Sequence, residues 1–495
     1  MHVAEFLATL QLDHASKTPL FRQLYHAIKQ AILAAKLAPG MQLPPTRELS
    51  ALSGVSRQTV LNAYELLMAE GFLSSTVGKG TFISAGLPLT PSTSQAQQAP
   101  LPLLRPLSSR GRRFTGVETR LNAHHSRPSA FRLGLPATDV FPFDVWARLA
   151  ARHWRRPAYQ LGYDDPAGYL PLRRALAAYV GASRGVHCAP EQIIITSGSQ
   201  QALFLTATLL LAPGDAAWVE EPGYRGVAAA LHALEAKTCP VPVDAEGLCV
   251  SAGAANCPDA KLIYTTPSHQ FPLGVTMSLR RRLELLDWAA ANRCWIVEDD
   301  YDSEYRYTGP PLASLQSLDK AGSVIYIGTL SKVLFPALRL GYLVLPPALA
   351  GAFAQGKGVI DRHTPTMPQM VLADFISEGH FSRHIKRTRE VHAERRAALL
   401  DALNGHLAQE LEVGAADAGL HVTVYMRGER DDRAVVQAAL DKGIEVRALS
   451  EFHHLTQEPG DQRRASGLLL GFAPFSPDQI RQGVMLLRDA LRVGR

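Results

Sequence analysis

The residue that most suggests chemistry is one lysine in an apolar stretch, Lys332 within GTLSKVLFPALRLGY (328–342). The chain uses arginine far more often than lysine, so an amine at this crowded position needs a reason. A lysine amine can lose its proton and attack a carbonyl carbon, whereas a guanidinium stays protonated. Lys332 is therefore a candidate for Schiff-base formation with an aldehyde, although a lysine taken alone is more often half of a surface ion pair.

A phosphate-binding turn is predicted in TSGSQQAL (196–203), which follows an apolar run and opens a helical pattern. Backbone amides at the start of a helix bind phosphate, aided by the helix dipole. A glycine–serine turn is weak evidence by itself, but a hydroxyl just before Lys332 and an arginine just after it can complete the same cradle. The predicted cradle residues are Gly198, Ser199, Gln200, Thr329 and Arg339.

Carboxylate and aromatic side chains follow two other apolar runs. WIVEDDYDSEY (295–305) offers Asp299 to hold a pyridinium proton and Tyr301 to reach a phenolic oxygen, and EEPGYRG (220–226) offers Tyr224 to stack on a ring. An amine, a phosphate cradle, a carboxylate and an aromatic face are what pyridoxal 5'-phosphate requires. The acidic pair can equally cap a loop and the tyrosine can belong to the core. Their joint occurrence after separate apolar runs favours the cofactor site.

The elements that must position these residues alternate between apolar runs of strand length and helical patterns. This alternation indicates an α/β fold with a mostly parallel sheet covered by helices. Six strands are predicted, at QIIIT, AAWVEE, KLIYTT, CWIVED, SVIYIG and LGYLVL. Ligands bind such sheets outside the carboxyl ends of the strands, where the candidate residues lie. We expect a large cofactor-binding domain over residues 129–390 and a small α+β C-terminal lobe over 391–495.

A separate N-terminal domain is predicted over residues 1–84. A Pro-, Ser- and Gln-rich linker over 85–128 follows it, with a composition that suits no packed core. The first helix is expected to begin with Thr18 as N-cap and Pro19 as first helical residue, and to end near Gly40. Its apolar residues recur every four positions, which predicts an amphipathic helix.

A helix-turn-helix with a wing is predicted in the rest of this N-terminal domain. A second helix, a turn at Gly54, a third helix capped by Ser56 and a glycine-tipped hairpin follow one another in the order of a winged helix-turn-helix. The start of the third helix would meet base edges and phosphates, and basic residues around it would contact phosphates. Each residue taken singly has an ordinary alternative, a cap or a solvated face. The predicted DNA-binding residues are Arg47, Ser56, Arg57, Gln58, Thr59 and Lys79.

The stretch from Pro19 to Ile83, with LAPGMQLPPTRELSALSGVSRQTVLNAYELLMAEGFL, resembles the GntR family of bacterial regulators. The large block, with YDDPAGYLPLRRALAAYV, TPSHQFPLG, EDDYDSEYRY and GTLSKVLFPALRLGY, resembles the fold-type I aminotransferases. Apart from the linker, the chain is similar to the MocR-type, GabR-like branch of the GntR family.

This resemblance implies a fold-type I domain with pyridoxal 5'-phosphate, double-stranded operator DNA as partner and a homodimer. It implies Lys332 as the Schiff-base lysine, and it assigns the pyridine nitrogen, ring hydroxyl, ring face and phosphate to Asp299, Tyr301, Tyr224 and the pair Thr329 and Arg339. For the DNA it implies contacts from Arg47, Arg57, Thr59 and a wing near Lys79 and Gly80.

Two departures from the aminotransferase pattern bear on function. An asparagine that usually touches the ring hydroxyl is replaced by Phe271, followed by Leu273, and Leu469 stands where an arginine usually binds the substrate carboxylate. Arg225 is an alternative partner for a carboxylate, or a surface residue, and His269 is either a proton relay or a packed histidine. We therefore favour a transcription regulator that senses an amine or amino-acid effector. The alternatives are a working aminotransferase with an appended DNA-binding domain, and a sensor of the cofactor itself.

Composition limits the remaining classes. The chain has 495 residues, 46% of them hydrophobic and 19% charged, which suggests two or three packed domains. A net charge of +6 permits a nucleic-acid partner without establishing one. The five cysteines contain no C-x-x-C pair, so no metal site or disulfide framework is expected. No leader or membrane-spanning run is found, and a cytoplasmic location is expected.

Overall fold

The structure is a computed structural model that describes residues 6, 10, 12–76, 78–85, 106–116, 129–155, 162–309, 312–428, 430–454 and 466–493. The chain divides into two compact units, Met1–Pro106 and Leu107–Arg495. The division falls inside the stretch predicted as a linker. Among the described residues, every helix is too short or too polar to cross a lipid bilayer.

The first unit is a winged helix-turn-helix. Its elements in chain order are α1 (Leu20–Leu33), β1 (Gln42–Leu43), α2 (Thr46–Ser53), α3 (Arg57–Ala69), β2 (Leu73–Thr76) and β3 (Gly80–Ile83). Strand β3 pairs antiparallel with both β1 and β2, which makes the wing. The apolar residues that recur every four positions in α1, Leu24, Ile28 and Ile32, are all fully buried. The amphipathic pattern therefore forms the core of this unit.

Helix α1 differs from the prediction at both ends. Pro19, with φ −56° and ψ 140°, occupies the N-cap position, so the N-cap prediction for Thr18 is wrong. Thr18 instead uses its carbonyl oxygen, which accepts a hydrogen bond of 2.8 Å from the Gln23 side chain. The helix stops at Leu33 rather than near Gly40, because Ala35 takes a left-handed φ of 54°.

The turn and cap of the helix-turn-helix form as predicted. Gly54 has a φ of 68° at the end of α2, a conformation that glycine adopts without strain. The Ser56 hydroxyl accepts a hydrogen bond of 3.1 Å from the Thr59 amide, which caps α3. The second and third helices are thus fixed at their junction by these residues.

The second unit opens with the helices and strands of a large α/β domain. In chain order they are α4 (Ser109–Thr115), α5 (Phe143–Trp154), α6 (Leu170–Arg184), β4 (Ile193–Thr196), α7 (Ser199–Leu210), β5 (Ala216–Glu221), α8 (Arg225–Ala233), β6 (Lys237–Asp244), β7 (Gly247–Leu248), α9 (Val250–Asn256), β8 (Leu262–Thr265), α10 (Leu279–Asn292), β9 (Trp295–Asp300), α11 (Leu315–Leu318), β10 (Val324–Thr329), β11 (Gly341–Val344), α12 (Pro347–Asp361) and α13 (Thr366–Ser377).

One sheet of eight strands organises this domain, in the order β4-β11-β10-β9-β8-β5-β6-β7. Strands β5, β6, β8, β9 and β10 run parallel, and β11 is antiparallel to its neighbours β10 and β4. All six predicted strands are present in it. Strand β6 was missed, because Pro240 and Pro242 interrupt its apolar pattern and proline is unusual inside a sheet.

Part of the predicted linker packs on the second unit. Helix α4 begins after Ser108, whose hydroxyl accepts a hydrogen bond of 3.0 Å from the Gly111 amide. The Phe114 ring contacts the Phe204 ring edge-on at 5.7 Å, and Arg113 forms an ion pair with Glu235. The arginine-containing helix α4 of the predicted linker is therefore packed on the second unit.

A small lobe completes the second unit. Its elements are α14 (His380–His406), β12 (Leu411–Val413), β13 (His421–Met426), α15 (Asp432–Asp441), β14 (Arg447–Ala448), β15 (Gly467–Gly471) and α16 (Pro477–Val493). The strands form an antiparallel sheet in the order β12-β13-β15-β14. Phe131 bridges to Gly471 and is buried in the core of this lobe, so the chain passes through the lobe between α4 and α5. The boundary predicted between 390 and 391 falls inside α14.

Candidate functional site

The predicted cofactor residues follow the carboxyl ends of strands of the large sheet. Strands β5, β8, β9 and β10 run in one direction, and β4 runs the same way because two antiparallel pairings separate it from β10. Their carboxyl ends therefore lie at one edge of the sheet, which is where ligands bind in open α/β sheets. We call this edge the crevice.

Lys332 lies in the crevice, just after β10, and is half-buried. Its Nζ donates a hydrogen bond of 3.0 Å to the carbonyl oxygen of Gly134. Burial lowers the pKa of the Lys332 ammonium, against the attraction of the Asp302 and Asp299 carboxylates. A lowered pKa raises the fraction of free amine, which is the nucleophilic form.

Asp299 lies at the end of β9 with only 5% of its surface exposed. The Tyr264 hydroxyl donates a hydrogen bond of 2.8 Å to Asp299 Oδ2, whereas Oδ1 is buried without a partner among the described residues. Burial raises the pKa of this carboxyl to about 7, which the hydrogen bond from Tyr264 opposes. An unpartnered buried carboxylate oxygen is unusual and suits a cationic N–H donor.

The residues predicted to cradle a phosphate lie at the start of α7 and in and after β10. Gly198 precedes the first turn of α7 with a φ of 103°, and a Cβ atom there would lie 3.3 Å from the Arg339 guanidinium. The amides of the first turn, which include those of Ser199 and Gln200, have no intrahelical acceptor. Thr329 pairs across the sheet with Gly341, where an added Cβ would lie 3.0 Å from the Gly198 Cα.

Tyr224 lies on the same side of the crevice, after β5. Its hydroxyl donates a hydrogen bond of 3.1 Å to Gln200 Oε1, and Gln200 Nε2 donates one of 2.9 Å to the Gly226 carbonyl oxygen. Burial raises the pKa of the Tyr224 hydroxyl to about 12, so it stays protonated. The Phe271 ring meets the Tyr224 ring edge-on at 6.2 Å. The side chain of Gln200 thus orients the aromatic residue.

Tyr301 belongs to a buried polar cluster with His269 and Asp302. His269 Nδ1 lies 2.9 Å from the Tyr301 hydroxyl and 3.1 Å from both carboxylate oxygens of Asp302. His269 is 2% exposed, and an added Cβ at Gly419 would lie 2.0 Å from its ring. This glycine is therefore required for the close approach of the small lobe to the cluster.

Four participants in the site were not predicted from the sequence. They are the Tyr264 hydroxyl, the Asp302 carboxylate, the Gly134 carbonyl and His421. His421 comes from the small lobe, lies 5.3 Å from the His269 ring, and its pKa falls to about 3 through burial and the nearby His269. The proximity of Asp302 to Asp299 in the sequence was a usable signal, whereas the contacts of the other residues span distant parts of the chain.

The predicted DNA-binding residues lie on exposed parts of the first unit. Arg47, Arg57 and Lys79 are exposed, and Arg57 Nε donates a hydrogen bond of 3.2 Å to the Thr46 hydroxyl. Gly80 has a φ of 112°, and an added Cβ would lie 2.5 Å from Gln42 Nε2.

The amide of Gln42 donates a hydrogen bond of 2.9 Å to the Lys79 carbonyl oxygen. Gly80 therefore also has a structural role, because a glycine leaves room for the Gln42 side chain that holds the wing.

The described residues of the crevice fit pyridoxal phosphate. The buried unpartnered oxygen of Asp299 matches a pyridine N–H, the glycine-lined turn beside Arg339 matches a phosphate, and the Lys332 amine matches an aldehyde. A metal ion has no comparable site, because no cluster of three or more His, Cys, Asp or Glu side chains is placed to bind one within the described ranges.

Comparison with known proteins agrees with the description of the first unit and with that of the second unit. Residues 138–464 match the family model for aminotransferase class I and II, and residues 20–83 match that for bacterial regulatory proteins of the gntR family. A kynurenine aminotransferase from Pyrococcus horikoshii superposes with a TM-score of 0.67 at 29% identity, over 74% of this chain and 92% of that chain.

Two relatives match along almost the whole chain. The probable rhizopine catabolism regulatory protein MocR of Rhizobium meliloti is 40% identical over 97% of this chain and 95% of its own. The HTH-type pyridoxine biosynthesis transcriptional regulator PdxR of Corynebacterium glutamicum is 30% identical over 98% and 99%. The chain therefore belongs to the MocR-type transcriptional regulators of the gntR family, with an N-terminal winged helix-turn-helix and an aminotransferase-like domain of the class I and II fold.

Proposed function

We propose that the aminotransferase-like domain binds pyridoxal 5'-phosphate and that the protein senses a primary amine, an amino acid included, to regulate transcription. The observation that carries this proposal is that one crevice holds both Lys332 and an Asp299 oxygen that is buried without a partner among the described residues. The two side chains lie within electrostatic range of each other. A surface lysine and a solvated aspartate would not need such burial.

Each predicted residue has a role in this proposal. Asp299 would accept from the pyridine nitrogen, Tyr301 would donate to the ring hydroxyl, and Tyr224 would cover the ring face. The amides of Gly198, Ser199 and Gln200, the Thr329 hydroxyl and the Arg339 guanidinium would hold the phosphate.

When bound, the cofactor supplies an aldehyde for which the Lys332 amine and an external primary amine compete. Lys332 would then return to the Gly134 carbonyl, which already accepts its hydrogen bond.

The macromolecular partner in this proposal is double-stranded operator DNA. It would be contacted by Arg47, Ser56, Arg57, Thr59 and the wing at Lys79 and Gly80.

We further propose a cytoplasmic homodimer. Exposed apolar side chains support a second copy: Phe143, Trp154, Tyr163 and Val359 are 57%, 67%, 93% and 88% exposed. The regions 1–84, 85–128, 129–390 and 391–495 remain our proposed domain division, with α4 packed on the second unit.

Replacing Lys332 tests the proposal. Lys332→Ala should abolish the Schiff-base absorption band of the purified protein and its covalent labelling after borohydride reduction, because the amine that follows β10 at the crevice is lost. Lys320→Ala, at an exposed lysine near the start of the same strand, is the matched control and should keep both. Peptide mass mapping locates the label. A label that survives in Lys332→Ala would place the cofactor elsewhere.

The same purified protein separates sensing from catalysis. A sensor should show a band that shifts with an amine and stays shifted. An aminotransferase should convert the band to that of the amine form of the cofactor and release a keto acid, which chromatography detects. If the cofactor alone, without amine, sets the affinity for DNA, the signal is the cofactor itself. The pyridoxine biosynthesis regulator among the relatives supports considering this alternative.

A further inference from the structure

Strand β15 of the small lobe presents its leucines to two different surroundings. Leu468 and Leu470 point into the core of the small lobe, whereas Leu469 packs with Leu449 and Phe452 in a separate cluster. Alternation along a strand places neighbouring side chains on opposite faces, so Leu469 faces away from the lobe's own core. Leu469 is fully buried there, with 0% of its surface exposed.

This second cluster joins the small lobe to the crevice. Its partly buried members from the large domain and the entering chain include Leu133, Phe271 and Leu273. We call Leu133, Phe271, Leu273, Leu449, Phe452 and Leu469 the apolar wall. Leu133 directly precedes Gly134, the residue whose carbonyl oxygen accepts from Lys332.

Phe271 continues the wall toward the cofactor residues. The centre of its ring lies 6.2 Å from that of Tyr224, 6.1 Å from that of Tyr301 and 5.1 Å from that of Phe452. The wall therefore lies beside the place that a substituent on the effector's amine-bearing carbon would occupy.

Among the described residues, two charged groups beside the wall already have partners. Arg447 is the cross-strand neighbour of Leu469, and its Nε and Nη2 donate hydrogen bonds of 2.8 Å and 2.5 Å to Glu451 Oε2. On the large-domain side, the Glu221 carboxylate contacts His453 Nδ1 and the His454 amide, both at 2.7 Å. The Arg447 guanidinium beside Leu469 in the sheet therefore already has a carboxylate partner.

We infer that the effector is a primary amine whose amine-bearing carbon carries no carboxylate, an alkyl, aryl or hydroxyalkyl amine rather than an α-amino acid. A carboxylate on that carbon would lose its water against the apolar wall, whose described residues include no cation to replace that water. A hydrogen or alkyl substituent has no strongly bound water to lose there, and it gains apolar contact with the wall. This inference rests on the proposed amine sensing and narrows its ligand class.

Matched ligand pairs test the inference on the unmodified, cofactor-loaded protein. Each pair differs only by the carboxylate: 2-phenylethylamine with phenylalanine, 3-methylbutylamine with leucine, and ethanolamine with serine. Titration is followed by the visible band of the cofactor and, independently, by the thermal midpoint. For the pair that binds best, we expect the amine to half-saturate the protein at a concentration at least about tenfold lower than the amino acid.

The outcomes separate this inference from the proposal beneath it. An amino acid that binds as well as its amine, or better, overturns the inference and leaves amine sensing intact. If no member of any pair moves either signal, the sensing of amines itself fails. These readouts need no variant, so the answer does not depend on whether a substituted protein folds.

Two variants sharpen the test. Leu469→Arg should narrow or reverse the preference for the amine, because it supplies a cation to the wall, whereas Leu469→Met keeps the wall apolar and should preserve the preference. Arg225 is exposed, and Arg225→Ala should leave the ratio of the two half-saturation concentrations unchanged. Loss of amino-acid binding in Arg225→Ala alone would show that a carboxylate is recognised at that residue and would contradict the inference.

Discussion

Asp299 shows how burial can prepare a residue for a ligand. One of its oxygens accepts from Tyr264 and the other is buried without a partner among the described residues. Burial raises the pKa from 3.8 to about 7. Between these values the native state binds a proton that the unfolded chain releases, so the stability of the cofactor-free protein falls as pH rises through this window, and the loss persists above it.

Asp299→Asn should therefore stabilise the cofactor-free protein at pH 8, by on the order of 2–4 kcal/mol, and change little at pH 4. It should also weaken cofactor binding strongly, because the charge that holds the pyridine proton is removed. Denaturant unfolding at several pH values, together with the absorbance of added pyridoxal phosphate, measures both effects.

Asp300→Asn is the matched control, with the opposite sign. Asp300 Oδ2 accepts hydrogen bonds of 2.6 Å from Arg184 Nε and 2.7 Å from the Tyr326 hydroxyl. Removing its charge deprives the buried guanidinium of Arg184 of its ion-pair partner, which should cost about 3–5 kcal/mol. Equal effects of the two substitutions at pH 8 would contradict the role assigned to Asp299.

At the scale of elements, the wing and the capped helix α3 are the parts that would meet DNA. Arg57→Ala and Lys79→Ala should each weaken DNA binding and reduce the slope of log affinity against log salt by about 1, because each removes one phosphate contact. Lys36→Ala changes the same charge at another exposed position of the first unit and should leave the slope unchanged. Equal slopes for all three variants would place the DNA elsewhere. Fluorescence anisotropy at several salt concentrations gives the values.

Periodicity predicted most of the elements, because it reports burial directly. The six apolar runs became β4, β5, β8, β9, β10 and β11. Periodicity did not predict β6, because two prolines interrupt its apolar pattern. The start of α1 was also predicted wrongly, because Pro19 rather than Thr18 takes the N-cap position.

For the site, the residues that follow strands were predictable, since parallel strands end at one edge. The Gly134 carbonyl, the Tyr264 hydroxyl and His421 were not, because their contacts join positions far apart in the sequence. Even the resemblance that placed Leu469 could not show that its surroundings are apolar, since the apolar wall combines residues from four separate segments of the chain.

At the scale of the second unit, the crevice is connected to the small lobe at several points. His384 of α14 donates from Nε2 a hydrogen bond of 2.9 Å to the carbonyl oxygen of Val333, the residue after Lys332. The Gly223 amide donates one of 3.0 Å to the Phe452 carbonyl oxygen. An effector that alters the contacts of Lys332 or Tyr224 can therefore shift the position of the lobe, provided that it binds the two positions with different affinity.

Regulation by this protein then requires a coupling between the effector and DNA. Such couplings commonly change an affinity by about 5–150-fold. The coupling should disappear in Lys332→Ala and in the cofactor-free protein, because both remove the covalent competition for which the effector's amine is needed.

The most direct test is the affinity of the cofactor-loaded protein for a DNA fragment that it selects from a random pool, measured with and without the amine that shifts its absorption band. We predict a change of at least about fivefold that is absent in Lys332→Ala and without cofactor. An affinity that is the same with and without the amine, while the band shifts fully, would contradict the account.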